Sequence, residues 1–203
     1  MMYFSLVDTS FGHIGIIYRD AVSVRVVGVF LPRTKEDTLR AVKFQYPDAQ
    51  LRSPESLGSL PAMFVDYFDG TPVKFPIDVL DMSICYAFQI DVLKAEWSIP
   101  YGKVASYRSV ARKIDSTAYR AVGNALARNP FPIIIPCHRA IRSDRTLGGF
   151  QGGLEMKRRI LEMESVEFDS SGRVEKEFID SHLDPLYDYL TSPQYTDTFN
   201  GTF

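Results

Sequence analysis

Between Pro72 and Asp81 this chain changes character. Pro72 and Pro76 deny that stretch a regular helix and remove two backbone donors, so it reads as an extended connector. Ahead of it lie β-branched and aromatic runs, Tyr3 to Val7, Ile14 to Tyr18 and Val22 to Leu31, separated by Ser-Phe-Gly and Arg-Asp turn signals. Thr34 can cap a helix running to about Phe44, before Pro47 stops it, and Pro54 to Phe68 is a second helix ending at Asp69-Gly70. Behind the connector the apolar spacing is helical. An α/β (α+β) chain follows, with an α/β unit over residues 1–80, a mainly helical domain over 81–174 and an acidic, aromatic tail over 175–203.

The helical part is densely punctuated. From Ser83 a helix presents Tyr86, Phe88, Ile90, Leu93 and Trp97 as an apolar face, and Ile99-Pro100-Tyr101-Gly102 breaks it. Ser106 can cap a short helix carrying Tyr107, Val110, Ala111 and Ile114. Asp115-Ser116 then turns the chain into a second helix, Thr117 to Arg128. Two short helices so joined have the outline of a helix-turn-helix, which many pairs share without touching DNA. The second is rich in small residues, Ala118, Ala121, Gly123, Ala125 and Ala127, although Gly123 costs about 1 kcal/mol of helix stability relative to alanine. Close helix packing is the ordinary explanation; close approach to a groove, with Arg120 on the same element, is the functional one.

Asn129-Pro130-Phe131-Pro132 leads into Ile133-Ile134-Ile135-Pro136-Cys137-His138-Arg139. A thiol is a weak nucleophile until deprotonated, and an adjacent imidazole can do that. Taken alone the pair is weak, since buried cysteines are usually inert small hydrophobes. Beyond a turn at Ser143 to Thr146, the run Leu147 to Gly153 holds four glycines but lacks the spacing of a nucleotide-binding P-loop. A last helix, Leu154 to Met163, ends at Glu164, and Val166 to Val174 forms a hairpin around Ser170-Ser171-Gly172.

Charge is distributed unevenly. Lys94 to Glu164 carries 13 Lys/Arg against 6 Asp/Glu, whereas the rest of the chain has 10 against 19 and the whole is −2. A basic window centred on the Cys-His pair is an electrostatic footprint suited to phosphates, although a merely solvated basic face is common. The two cysteines, Cys85 and Cys137, lie too far apart in sequence to suggest a disulfide framework and fit a reducing compartment. Three histidines, His13, His138 and His182, without metal-ligand spacing argue against structural zinc. A membrane-length apolar run and a signal peptide are both lacking, so a cytoplasmic or nucleoid-associated protein is expected.

Phe88-Gln89, Ile-Pro-Tyr-Gly-Lys-Val-Ala-Ser-Tyr (99–107), Arg-Ala-Val-Gly-Asn-Ala (120–125), Asn-Pro-Phe-Pro-Ile-Ile-Ile-Pro-Cys-His-Arg (129–139), Leu-Gly-Gly-Phe-Gln-Gly-Gly (147–153) and the Leu-Glu-Met-Glu ending at Glu164 occur in this order. Together, over roughly residues 80 to 174, they resemble the O6-alkylguanine-DNA alkyltransferases. The resemblance implies an N-terminal α/β roll similar to ribonuclease H, and a C-terminal helix-turn-helix that binds the DNA minor groove and flips the damaged base out. The alkyl group then passes irreversibly from guanine O6, with thymine O4 as a second candidate, to a cysteine.

On this resemblance Cys137 is the nucleophile, His138 takes its proton through a water, Glu164 orients the imidazole, Asn129 holds the helix-turn-helix to the active-site segment, and Tyr107 serves the leaving guanine. Backbone carbonyls of Cys137 and Ala140 read the base, and Phe150 walls the alkyl pocket. Arg120 fills the vacated stack, Ala118, Ala121 and Gly123 let the helix enter the groove, and Gln89, Arg108 and Ser143 contact the DNA backbone. No cofactor or metal is implied, and a monomer acting on double-stranded DNA is expected. Tyr119 stands where the family often has alanine, Arg145 where a turn glycine is common, and Phe150 where tyrosine is frequent. A non-catalytic lesion-binding protein of the same build is the alternative, against which the intact Cys137-His138 pair stands. A cysteine hydrolase would leave the basic helix-turn-helix unexplained.

Overall fold

The computed structural model describes residues 1–20, 23–180 and 183. Strands β1 (Met2–Thr9), β2 (Gly12–Asp20) and β3 (Val24–Arg33) form an antiparallel meander, and a short β4 (Gln50–Leu51) adds in parallel to β1, giving the order β3-β2-β1-β4. The three strand runs expected from sequence are present, the first two longer at both ends and the third shifted two residues along the chain; Val22 lies outside the described residues. The Gln50–Leu51 strand has no alternating signature and was not foreseen. Helix α1 (Lys35–Gln45) is capped by Thr34, whose side-chain oxygen accepts from Asp37 N.

Two helices begin later than their apolar patterns suggest. The expected Pro54-to-Phe68 helix is a 3-10 turn over Pro54–Leu57 followed by α2 (Leu60–Phe68). Gly58 separates them at φ 60°, a left-handed conformation no helix continues through. The helix expected from Ser83 is a 3-10 turn, Met82–Ile84, capped by Asp81, and then α3 (Ala87–Trp97). Its buried positions are Gln89, Val92, Leu93, Ala95 and Glu96, whereas Tyr86 is exposed. The apolar stripe read from sequence is therefore displaced by two polar residues that the interior uses.

The sheet lies between two layers. One face packs Phe4, Ile17 and Val27 on Val42 of α1. The other belongs to a core that runs from Ile16, Tyr18 and Val29, through Phe64 and Tyr67 of α2, to Val92, Val122, Ile133–Ile135 and Ile160. Backbone bonds fasten the same seam. Val26 N–H donates to Val79 C=O in the connector, and Val29 N–H donates to Pro130 C=O just before the active-site segment, both at 2.8 Å. The connector is thus extended, as expected, and laid along β3.

After α3 come β5 (Ala105–Ser106), α4 (Tyr107–Lys113), α5 (Tyr119–Ala127), β6 (Ala140–Ile141) and α6 (Gly153–Met163). Ser106 caps α4 through Ser109 N, and Asp115, at φ 51°, makes the turn into α5. β5 pairs with β6 in parallel, Ala105 opposite Ala140, which sets the Cys137 turn beside the start of α4. Residues 166–174 close a hairpin through a Phe168–Val174 bridge. Of the expected tail, 175–180 and Leu183 are described and the rest lies outside the described residues.

Candidate active site

Cys137 opens a 3-10 turn, Cys137–Arg139, at the end of a tightly folded approach. Ile135 N–H donates to Phe131 C=O at 2.8 Å, and this turn holds Ile133 at φ 75°. A β-branched residue there is strained by roughly 1–3 kcal/mol, which the surrounding contacts must offset. Asn129 supplies several of them. Its Nδ2 donates to Ile135 C=O at 2.9 Å and reaches Cys137 Sγ at 3.2 Å, while its Oδ1 accepts from Phe131 N–H. Asn129 therefore joins the end of α5 to the Cys137 segment and touches the sulfur as well.

Cys137 is 5% exposed, at the back of a cleft of about 460 Å³ between α4, α5 and the glycine loop. Tyr107, Gly123, Leu126 and Phe150 line it. Burial pushes the thiol up to about 11, with the Asn129 hydrogen bond and Lys157 pulling the other way. Sulfur thus needs help to ionise. His138, fully buried, sits with Nε2 2.9 Å from Glu164 Oε1. Because a carboxylate only accepts, that bond assigns the proton to Nε2. His138 Nδ1 is then a bare acceptor, buried and without a partner among the described residues. Burial lowers the imidazole, so it is neutral and open to a proton.

Glu164 is the hub. Arg139 Nε and Nη2 reach its two oxygens at 2.8–3.2 Å, and Nη1 donates to Ile99 C=O. Tyr67 OH, from α2, donates to Glu164 Oε1 at 2.6 Å and lies 3.1 Å from His138 Nε2. Burial alone would raise the Glu164 carboxyl, but His138 and Arg139 outweigh it and bring it down to about 2. The Arg139 pair is the part of that effect that persists while His138 is neutral. Neither Tyr67 nor Arg139 was singled out from sequence. Arg139 could have been, as the cation next to the pair; Tyr67 sits in a helix that reads only as scaffold.

Tyr107 lines the cleft, its hydroxyl 3.4 Å from Gly149 C=O, and burial pushes the phenol up to about 12, so it remains a donor. Gly148 stands at φ 68°, and a Cβ there would come within 2.8 Å of the Tyr107 oxygen. The glycine loop is pinned rather than free: Gln151 Nε2 donates to Ala127 and Asn129 carbonyls. Phe150 lies on the cleft wall with its ring 6.3 Å from the His138 ring.

Two expectations are corrected. Gln89 is not available to DNA: its side chain is buried and donates to Ala125 C=O and Arg128 C=O, tying α3 to the end of α5. Ala140 is fully buried and absent from the cleft wall, and its carbonyl accepts from Lys157 Nζ at 2.5 Å. Arg108, Ala118, Arg120 and Ser143 are exposed, while Ala121 and Gly123 are half-buried along α5. Tyr119 points outward with the Arg108 guanidinium over its ring, so it does not disturb the helix. Arg145 keeps the left-handed backbone a glycine would adopt, φ 68°, and its side chain holds Val174 C=O and Asp169 in the hairpin.

A buried thiol held by an asparagine, next to a carboxylate-oriented imidazole and under a helix-turn-helix, defines a protein equipped for thiol nucleophilic chemistry beside a basic surface. Residues 87–166 match the family described as "6-O-methylguanine DNA methyltransferase, DNA binding domain". A methylated-DNA–protein-cysteine methyltransferase of Methanothermobacter thermautotrophicus is 47% identical over 103 residues, 51% of this chain and 58% of that protein. Its Saccharolobus solfataricus counterpart is 41% identical over 50% of this chain and 64% of its own length. The chain thus spans less than two thirds of these relatives.

Among solved structures, Mycobacterium tuberculosis O6-methylguanine methyltransferase is 30% identical, with a TM-score of 0.63 over 81% of this chain and 93% of that one. The same enzyme in complex with DNA gives 0.62 over 80% and 92%. The chain belongs to the O6-methylguanine-DNA methyltransferase family.

Proposed function

We propose that this protein repairs alkylated double-stranded DNA by moving the alkyl group from guanine O6 to Cys137. The supporting observation is the Sγ atom at the back of a cleft walled by α5, beside an imidazole whose free Nδ1 can take the thiol proton. In the reaction a sulfur–carbon bond forms, the carbon–O6 bond breaks, and the guanine leaves as an anion that needs a proton or a hydrogen bond. His138, oriented by Glu164, takes the thiol proton. Tyr107 is a neutral donor on the cleft wall for the departing base. Transfer needs no second substrate, and the thioether has no good leaving group, so each molecule acts once.

The DNA surface is α5 with its flanks. Ala118, Ala121 and Gly123 keep that helix slim, Arg120 projects from its first turn to fill the stack a flipped base leaves, and Arg108 and Ser143 lie on exposed flanking positions toward phosphates. The M. tuberculosis enzyme, alike in fold, has been solved in complex with DNA, which supports DNA as the partner. We read the chain as a monomer of the cytoplasm or nucleoid. The test is a duplex carrying O6-methylguanine, with O4-methylthymine tried alongside: unsubstituted protein restores the plain base and Cys137→Ala does not. Binding without restoration by the unsubstituted protein gives the non-catalytic, lesion-binding reading instead.

A further inference from the structure

Beside Cys137, His138 and Glu164 lies a second set of buried ionisable groups that the reaction above leaves unused. Glu96, on the inner face of α3, is wholly excluded from solvent, and neither carboxylate oxygen has a hydrogen-bond partner among the described residues. An ionised carboxylate so placed is costly, and the group holds its proton instead. Burial pushes it up to about 8, against the charges of Lys157 and Arg139 and an Ala140 N–H whose approach falls short of a hydrogen bond. Lys157, from α6, is also wholly buried and donates to Ala140 and Gly149 carbonyls at 2.5 and 3.3 Å. Burial brings its ammonium down to about 8, while Cys137 and Glu96 hold it up.

The other neighbours are already committed. Arg139 is engaged by Glu164 and Ile99 C=O, and Tyr107, pushed up to about 12, stays protonated. Lys157 is thus the cation that the Cys137 thiol and Glu96 share, while Arg142, which lines the same cleft as Cys137, opposes its charge. Resting on the reading of Cys137 as the nucleophile, we propose that Glu96 is a positioning residue that competes with the Cys137 sulfur for the charge of Lys157. While Glu96 keeps its proton, Lys157 supports a thiolate. Once Glu96 ionises it takes Lys157 as its counter-ion, repels negative charge on sulfur, and the thiol keeps its own proton. Glutamine has the shape of the protonated acid and cannot ionise, so Glu96→Gln removes only the competing state.

The full chain is reacted with iodoacetamide, and modification of the Cys137 peptide is followed by mass spectrometry, separately from that of Cys85. No DNA is involved, so the outcome is independent of the repair reading. The ratio of the Glu96→Gln rate to the unsubstituted rate is expected to climb as pH rises to about 8, where Glu96 ionises, and to stop climbing above it, where Lys157 loses its own proton. The rise should be on the order of tenfold, the effect of one unit in thiol pKa. A flat ratio, as altered packing alone would give, or a falling one overturns the proposal. If Glu96→Gln does not fold, infrared spectra of the unsubstituted protein decide. A buried, protonated carboxylic acid band below about pH 7 that disappears above about pH 9 is expected. A band absent or unchanged throughout overturns the proposal.

Discussion

The Tyr67 hydroxyl touches both His138 and Glu164, although its helix belongs to the strand-rich half of the chain. Tyr67→Phe keeps the ring and removes one hydrogen bond to an ionised partner, so about 1.5–3 kcal/mol of stability should be lost in chemical denaturation. Alkylation of Cys137 should also slow, because His138 and Glu164 lose a shared restraint. Unchanged stability would mean the hydroxyl is idle. Cys137, His138, Asn129 and Glu164 were legible in the sequence because their chemistry is tied to short patterns. Tyr67 and Glu96 were not, because nothing local marks a tyrosine or glutamate whose partners are supplied by distant segments. Gln89 was misread for a related reason: the sequence shows a polar side chain but not that two α5 carbonyls claim it.

Among the elements, α5 has to satisfy the interior and, on the proposed function, a DNA groove. Val122, Ala125 and Leu126 face inward, whereas Arg120 and Tyr119 face out. Its far end depends on Gln89. Gln89→Leu would strand the Arg128 carbonyl and leave Ala125 C=O only the Arg128 N–H, and thermal or chemical denaturation should show a loss of about 1–3 kcal/mol. An effect near zero would show those carbonyls to be satisfied otherwise. Arg120→Ala should leave stability nearly unchanged, as for most surface substitutions. It should slow repair strongly on duplex DNA and much less on the free modified base, since only the duplex has a stack to fill; equal loss on both would remove the intercalating role. The helix-turn-helix outline was readable from caps and turns. The 3-10 starts before α2 and α3 were not, because the backbone at Gly58 and the extended Cys85 and Tyr86 interrupt stretches whose residue pattern reads as helix.

Across the whole molecule, Glu164 ties together α2 through Tyr67, the chain after α3 through Arg139 and Ile99, and the nucleophile's turn through His138. Its carboxyl titrates lower folded than unfolded, which fixes the sign of the acid response. The stabilisation is fully present above its ordinary value of about 4.5 and is lost as pH falls toward about 2. Denaturation of Glu164→Gln should therefore be less pH-dependent across that window, and the variant should be less stable at neutral pH by about 3–5 kcal/mol, the cost of leaving Arg139 buried and unpaired. A parallel pH response in both proteins would contradict this. Segregation of strands ahead of the connector and helices behind it was plain in the sequence. That one core and one ion-pair hub bridge the two halves was not, because pairing across about a hundred residues leaves no local periodicity.

The central claim is that Cys137 is the acceptor and is consumed once. A duplex bearing O6-methylguanine labelled in its methyl group, mixed in excess with the protein and followed by peptide mass spectrometry, tests it most directly. One labelled methyl per molecule, on the peptide holding Cys137 and with no further turnover, is the result predicted. Label released to solvent over many turnovers, label on Cys85, or no label despite tight binding of the duplex would contradict it.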